Sequence, residues 1–147
     1  MVVLIDSGPL GFLTNPNQTR KASACRKWAA DLKAAGHRVV IPEITDYEIR
    51  RELTLIGSVL SLGLLDALHA QFEFLTLDSQ TLRLAAALWA DARRTGQPTA
   101  GDRNIDIDMI LVAQARSLGI PDAVVATENL RHLRHFTTAE VWTNINP

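Results

Sequence analysis

Acidic side chains in this sequence fall where strands end and helices begin. Val2-Val3-Leu4-Ile5, four apolar residues of which three are β-branched, runs directly into Asp6 and a Ser7-Gly8-Pro9 turn. That is the pattern of a strand buried on both faces and ending on a carboxylate. Glu48 sits in a helical stretch after a second apolar run, and Glu128 and Asn129 follow a third, Ala123 to Thr127. Asp102, Asp106 and Asp108 lie at or before another helix start. Two carboxylates about 4 Å apart repel by roughly 4 kcal/mol at an effective dielectric near 20. Three brought to one place must therefore be protonated or neutralised by a cation. With oxygen donors, one cysteine and no second soft ligand, that cation would be hard, Mg²⁺ or Mn²⁺.

Each of these residues also has a structural reading. Asp6 could simply cap a turn, Glu48 could be solvated beside Glu43 and Glu52, and Asp106 and Asp108 could serve the dipole of their helix. Asp108 lies three, four and seven residues before Leu111, Val112 and Ala115, and so shares their face. Asp106 aligns in the same way with Met109, Ile110 and Ala113, so periodicity leaves both open.

The elements that must position these groups can be read in order. A short apolar helix is expected at Leu10 to Leu13. A second helix spans Thr19 to Ala35, with Ala22, Cys25, Trp28, Ala29 and Leu32 on one face and Gly36 as its cap. The strand Arg38 to Ile41 leads to Pro42 at the first position of a helix running to Leu53. A further helix covers Val59 to Phe72, separated near Gly57-Ser58. The alternation Phe72 to Leu77 predicts a third strand. The helix Gln80 to Thr95 is capped by Asp78 or Ser79 and buries Leu84, Ala87 and Leu88. A helix beginning at Ile105 ends near Gly119, Ala123 to Thr127 forms a fourth strand, and Phe136 to Trp142 holds an edge strand. Strands alternating with helices over short connections give an α/β protein, a three-layer sandwich with a central parallel sheet of four to five strands. No repeat or linker divides it, so residues 1–147 form a single domain.

Composition bounds the function. The chain is 47% hydrophobic and 21% charged, which excludes disorder. A net charge of −1 gives no general attraction to polyanions, so a nucleic acid would need a local basic patch. Arg50, Arg51, Arg103, Arg131 and His132 are candidates for one. The lone Cys25 forms no internal disulfide, reads as a small helical core residue and points to a reducing compartment. The N-terminal apolar run lacks a basic leader and meets Asp6 too early for a signal peptide, and the most apolar segment, Leu53 to Ala70, carries Asp66 and His69. A cytoplasmic protein with no membrane span is expected. Leu53 to Leu65 is nonetheless more apolar than one amphipathic helix needs. It reads equally as a groove for another chain and as a helix pair burying both sides.

Four stretches carry a resemblance to a known family: Val3 to Ser7, Pro42 to Leu53, Asp108 to Ala115, and Val124 to Asn129. In order and approximate spacing they resemble the PIN-domain nucleases, and within them the VapC-like toxins of bacterial toxin-antitoxin pairs. The resemblance implies a divalent-metal-dependent endoribonuclease with Asp6, Glu48 and Asp108 as its catalytic and metal-binding acids and Ser7 as the hydroxyl beside the first. It further implies a cognate antitoxin and a homodimer. The family's fourth acid is replaced by Asn129, so that Glu128 or Asp106 would have to supply the missing charge. Two other readings differ in class. One is a haloacid-phosphatase-like phosphoryl-transfer enzyme with Asp6 as nucleophile, although its second Asp is Gly8 here. The other is a PIN-like module that binds without cutting.

Overall fold

The computed structural model describes residues 1–96 and 105–147. Its centre is strand β1 (Val2–Ile5), every residue of which is buried. A continuous apolar run of this kind is stable only with helices on both sides of the sheet. Helix α1 (Ser7–Leu13) follows at once, starting three residues earlier than the periodicity suggests because Asp6 caps it. Then come α2 (Arg20–Ala34), capped by the Thr19 hydroxyl, strand β2 (Arg38–Pro42), α3 (Glu43–Ile56) and α4 (Val59–Gln71). Strand β3 (Glu73–Leu75), α5 (Ser79–Thr95), α6 (Ile105–Ser117), β4 (Ala123–Thr127) and β5 (Ala139–Val141) complete the chain.

The five strands are parallel, in the order β3-β2-β1-β4-β5. Successive side chains of a strand point to opposite faces, and the core divides accordingly. Val2, Leu4 and Val40 pack with α5 and α6, while Val3, Ile5, Val39 and Ile41 pack with α1, α2 and α4. Helix α3 joins the two layers, with Ile44 in the first and Ile49 in the second. Cys25 is a fully buried member of the second layer, and burial pushes its thiol up to about 12.

Several boundaries differ from the sequence expectation. Pro42 is not the first residue of α3: it is still extended, closes β2 and stands at the N-cap position. The third strand keeps only three of its six expected residues, being an edge strand paired to β2 alone. In α5 the core face is Thr81, Ala85, Leu88 and Ala92. Ala87 is exposed, and Leu84 only partly buried, because the helix is rotated relative to the predicted stripe. Gly57, at φ 72°, does separate α3 from α4.

Gln114 fixes the helix that carries Glu48. Its carbonyl oxygen accepts from the Ile44 amide at 3.2 Å, one of the otherwise unpaired donors in the first turn of α3, and its amide donates to the Leu75 carbonyl at 2.9 Å. The side chain is 1% exposed. Replacing it with leucine keeps the volume and strands two buried polar groups, so Gln114→Leu should cost about 1–3 kcal/mol, read as a lower midpoint in urea unfolding.

Candidate active site

Every strand of a parallel sheet ends at the same edge, and ligands in such sheets sit where the strand order reverses. Here that point lies between β1, which leads on to β2 on one side, and β4, which lies on the other. The register pairs Ile5 with Ala126, so Asp6 and Thr127 emerge side by side. The Asp6 amide donates to the Ala126 carbonyl at 3.0 Å. Its side chain accepts at Oδ1 from the Ser7 amide and at Oδ2 from the Thr127 hydroxyl, both at 2.7 Å. The capping reading of Asp6 is thus correct, and it leaves the carboxyl fixed at the mouth of the crevice.

Two further elements deliver acids to this edge. Glu48 stands in the second turn of α3, and Asp108 in the first turn of α6. Their mutual influence is explicit in their acidities. Burial raises the Asp6 carboxyl, opposed by its Thr127 and Ser7 hydrogen bonds. Burial also raises Glu48, reinforced by Asp6 and Glu52 and opposed by the Ser7 hydroxyl and Arg51. Asp108 is raised to about 7 by burial first, then by Asp6 and Glu48. The carboxyls are within electrostatic reach without converging on one point: among the described residues, no group of three or more His, Cys, Asp or Glu is close enough to hold a metal ion as the side chains stand.

The remaining candidates are distributed differently. Asp106 is exposed and faces α5, lining a cleft with Leu82, Ala86 and Trp89. Glu128 turns toward α2, where Lys21 pairs with it at 2.8 Å and the Trp142 indole donates to it. The Asn129 side-chain Oδ1 accepts from the Arg131 backbone amide at 3.1 Å, closing a local turn. Arg131 is exposed, and His132 sits in the same short 3₁₀ turn. Arg50 leaves α3 on the side away from Glu48 and joins Asp46 and Asp66, at 2.9 Å each. Arg51 lies beside Glu48. Arg103 and Asp102 lie outside the described residues. Thr127 and Ser7 therefore support the acids directly. The sequence places Thr127 at the end of a buried strand, but its position opposite Asp6 comes from the register of β4 against β1.

The PIN domain family model matches residues 3–136. The chain belongs to the PIN domain family. No curated protein matches the sequence. Among solved structures, a chain of DNA-bound VapBC from Salmonella typhimurium is 20% identical with a TM-score of 0.70, covering 97% of this chain and 98% of that one. VapBC-1 from nontypeable Haemophilus influenzae gives 19% identity and a TM-score of 0.69 over 98% of this chain and 100% of that one. FitAcB from Neisseria gonorrhoeae gives 16% and 0.63 over 97% and 99%. At these identities the likeness establishes the fold of the PIN domain.

A carboxyl whose pKa is raised, as that of Asp108 is, holds its proton in the folded PIN domain after the unfolded chain has lost it. Its contribution to stability is fully present below the ordinary value of 3.8 and is lost as pH rises through about 7. Asp108→Asn removes that loss. With chelator present, the variant should be more stable than the native chain at pH 8, by about 1–3 kcal/mol after allowing for solvent screening, and the gap should close near pH 4. Thermal melts at the two pH values check this.

Proposed function

We infer that the protein is a divalent-metal-dependent endoribonuclease, hydrolysing phosphodiester bonds in RNA as the VapC-like toxin of a toxin-antitoxin pair. The observation that carries the reading is the juxtaposition of Asp6, Glu48 and Asp108 from three separate elements, each held above the usual carboxylate pKa by burial and two of them also by their acidic neighbours. Excess negative charge on oxygen donors alone is the chemistry that suits a hard ion, so the residues present fit Mg²⁺ or Mn²⁺. Asp6, Glu48 and Asp108 would hold it. Such an ion supplies a water of lowered pKa and neutralises charge on the scissile phosphate.

The chain's own part is positional. Thr127 and the Ser7 amide fix both oxygens of Asp6, and the Ser7 hydroxyl restrains Glu48. Arg51, beside Glu48, offers a cation to the RNA backbone.

Partner binding is supported by the tip of the α3–α4 hairpin, where Leu55, Ile56, Val59 and Leu60 are each more than 70% exposed. We assign this surface to a cognate antitoxin or to a homodimer contact, as the named VapBC complexes suggest. Among the described residues no helix is long and apolar enough to cross a membrane, and the free Cys25 suits the reducing cytoplasm.

The phosphoryl-transfer reading is disfavoured at Gly8, the position where its second Asp would stand. A Cβ there would lie 2.6 Å from Glu128 Cγ, so any side chain at this position would have to displace that of Glu128.

Incubating a mixed pool of unpaired RNA with Mn²⁺, Mg²⁺ or chelator tests the proposal. Cutting should require the ion and fall at least about a hundredfold in Asp6→Asn, Glu48→Gln and Asp108→Asn. Uncut RNA, together with a melting temperature indifferent to Mn²⁺, would instead favour a PIN domain that binds without cutting.

A further inference from the structure

Helix α3 carries a second feature that the acid cluster does not use. Tyr47, the residue before Glu48, is 55% exposed. The Arg51 guanidinium lies over its ring, 5.6 Å from the centroid, and also pulls on the Glu48 carboxyl. The ring borders a cleft of about 640 Å³ shared with Glu43, Ile44, Asp46, Arg50 and Leu77.

Residues 48, 51, 47 and 43 are successive neighbours three or four positions apart, with about 5–6 Å between Cβ atoms. Around one side of α3 the helix thus presents an acid, a cation, an aromatic ring and a cleft with an apolar floor. A cation beside an aromatic ring matches a phosphate beside a base, neighbours along one nucleic-acid strand. The cleft is also prepared electrostatically. Asp46 is 6% exposed, but Arg50 holds both its oxygens, at 2.9 and 3.1 Å, and His69 lies 2.7 Å from one of them. Although burial works to raise it, these partners hold the Asp46 carboxyl below its usual range. Glu43 is occupied in accepting from the Leu77 amide, which joins the far wall to the start of α3.

Resting on the ribonuclease reading above, we propose that Tyr47 and this cleft form a base subsite for unpaired RNA. A nucleobase stacks on the Tyr47 ring, Arg51 takes the phosphate next to it, and the scissile phosphodiester lies beyond, toward Glu48. Stacking on an aromatic side chain requires a base that can leave its own stack, so single strands are selected over duplex.

The test uses the full chain carrying Asp108→Asn, so that RNA is bound without being cut. Two probes of equal length are compared, oligoadenylate and an abasic ribose-phosphate chain. Tyr47→Ala should weaken oligoadenylate binding about tenfold and leave the abasic chain unaffected, while Tyr47→Phe, which keeps the ring, retains the affinity of Tyr47. Equal affinities for oligoadenylate with and without the ring would overturn the subsite. So would a loss that is the same for both probes, which marks a structural or phosphate effect. If no variant binds either probe, and the chain with Asp108 intact leaves RNA uncut in Mn²⁺, the ribonuclease reading fails and the subsite falls with it.

Discussion

The site depends on one hydrogen-bonded carboxyl. Asp6 leaves the central strand at the point where the sheet's order reverses, and both of its oxygens are held, one by the backbone that follows it and one by Thr127 of the neighbouring strand. Because β1 is buried throughout and paired on both sides, neither residue can shift without disturbing the core. Glu48 and Asp108 are then brought toward a charge whose position is already set. Each addition is unfavourable in isolation, and the upward shifts of Glu48 and Asp108, to which Asp6 contributes, record it.

Asp46 shows how the same fold treats a buried carboxyl with a structural task. It lies two residues before Glu48 on the same helix, and it is matched by Arg50 and His69 and held below its usual range. Among the described residues, Arg51 is the one cation that pulls on any of the three site acids. Uncompensated charge at a crevice beside compensated charge in a scaffold is the arrangement expected of a site that takes its cation from outside. The stability forgone there is supplied by two apolar layers and by polar ties such as Gln114.

The fold and the first acid were legible because β1 is an unbroken apolar run with one chemical meaning. Its burial and its terminal Asp both follow from four residues. Helix α6 was legible in extent but not in the roles of its acids. Asp106 and Asp108 align equally well with buried residues, and only the packing of α5 against α6 leaves Asp106 exposed on the α5 side while Asp108 lies within electrostatic reach of Asp6 and Glu48. Charge on an Arg says nothing of where it is spent, so Arg50 and Arg51 read alike although one ties α3 to α4 and the other lies beside Glu48. Thr127 and the pairing of Glu128 with Lys21 and Trp142 depend on strand register and on contacts more than a hundred residues apart in sequence for Thr127 and Lys21. No local pattern encodes these.

The most direct measurement is the titration of the Asp108 carboxyl carbon by NMR in chelator and in Mg²⁺. A shared acidic site predicts a midpoint near 7 in chelator, carried well below the ordinary carboxylate range when Mg²⁺ is added, with Asp6→Asn lowering the first midpoint. A midpoint near 4, indifferent to both Mg²⁺ and Asp6, would mean that the three carboxyls do not act as one site.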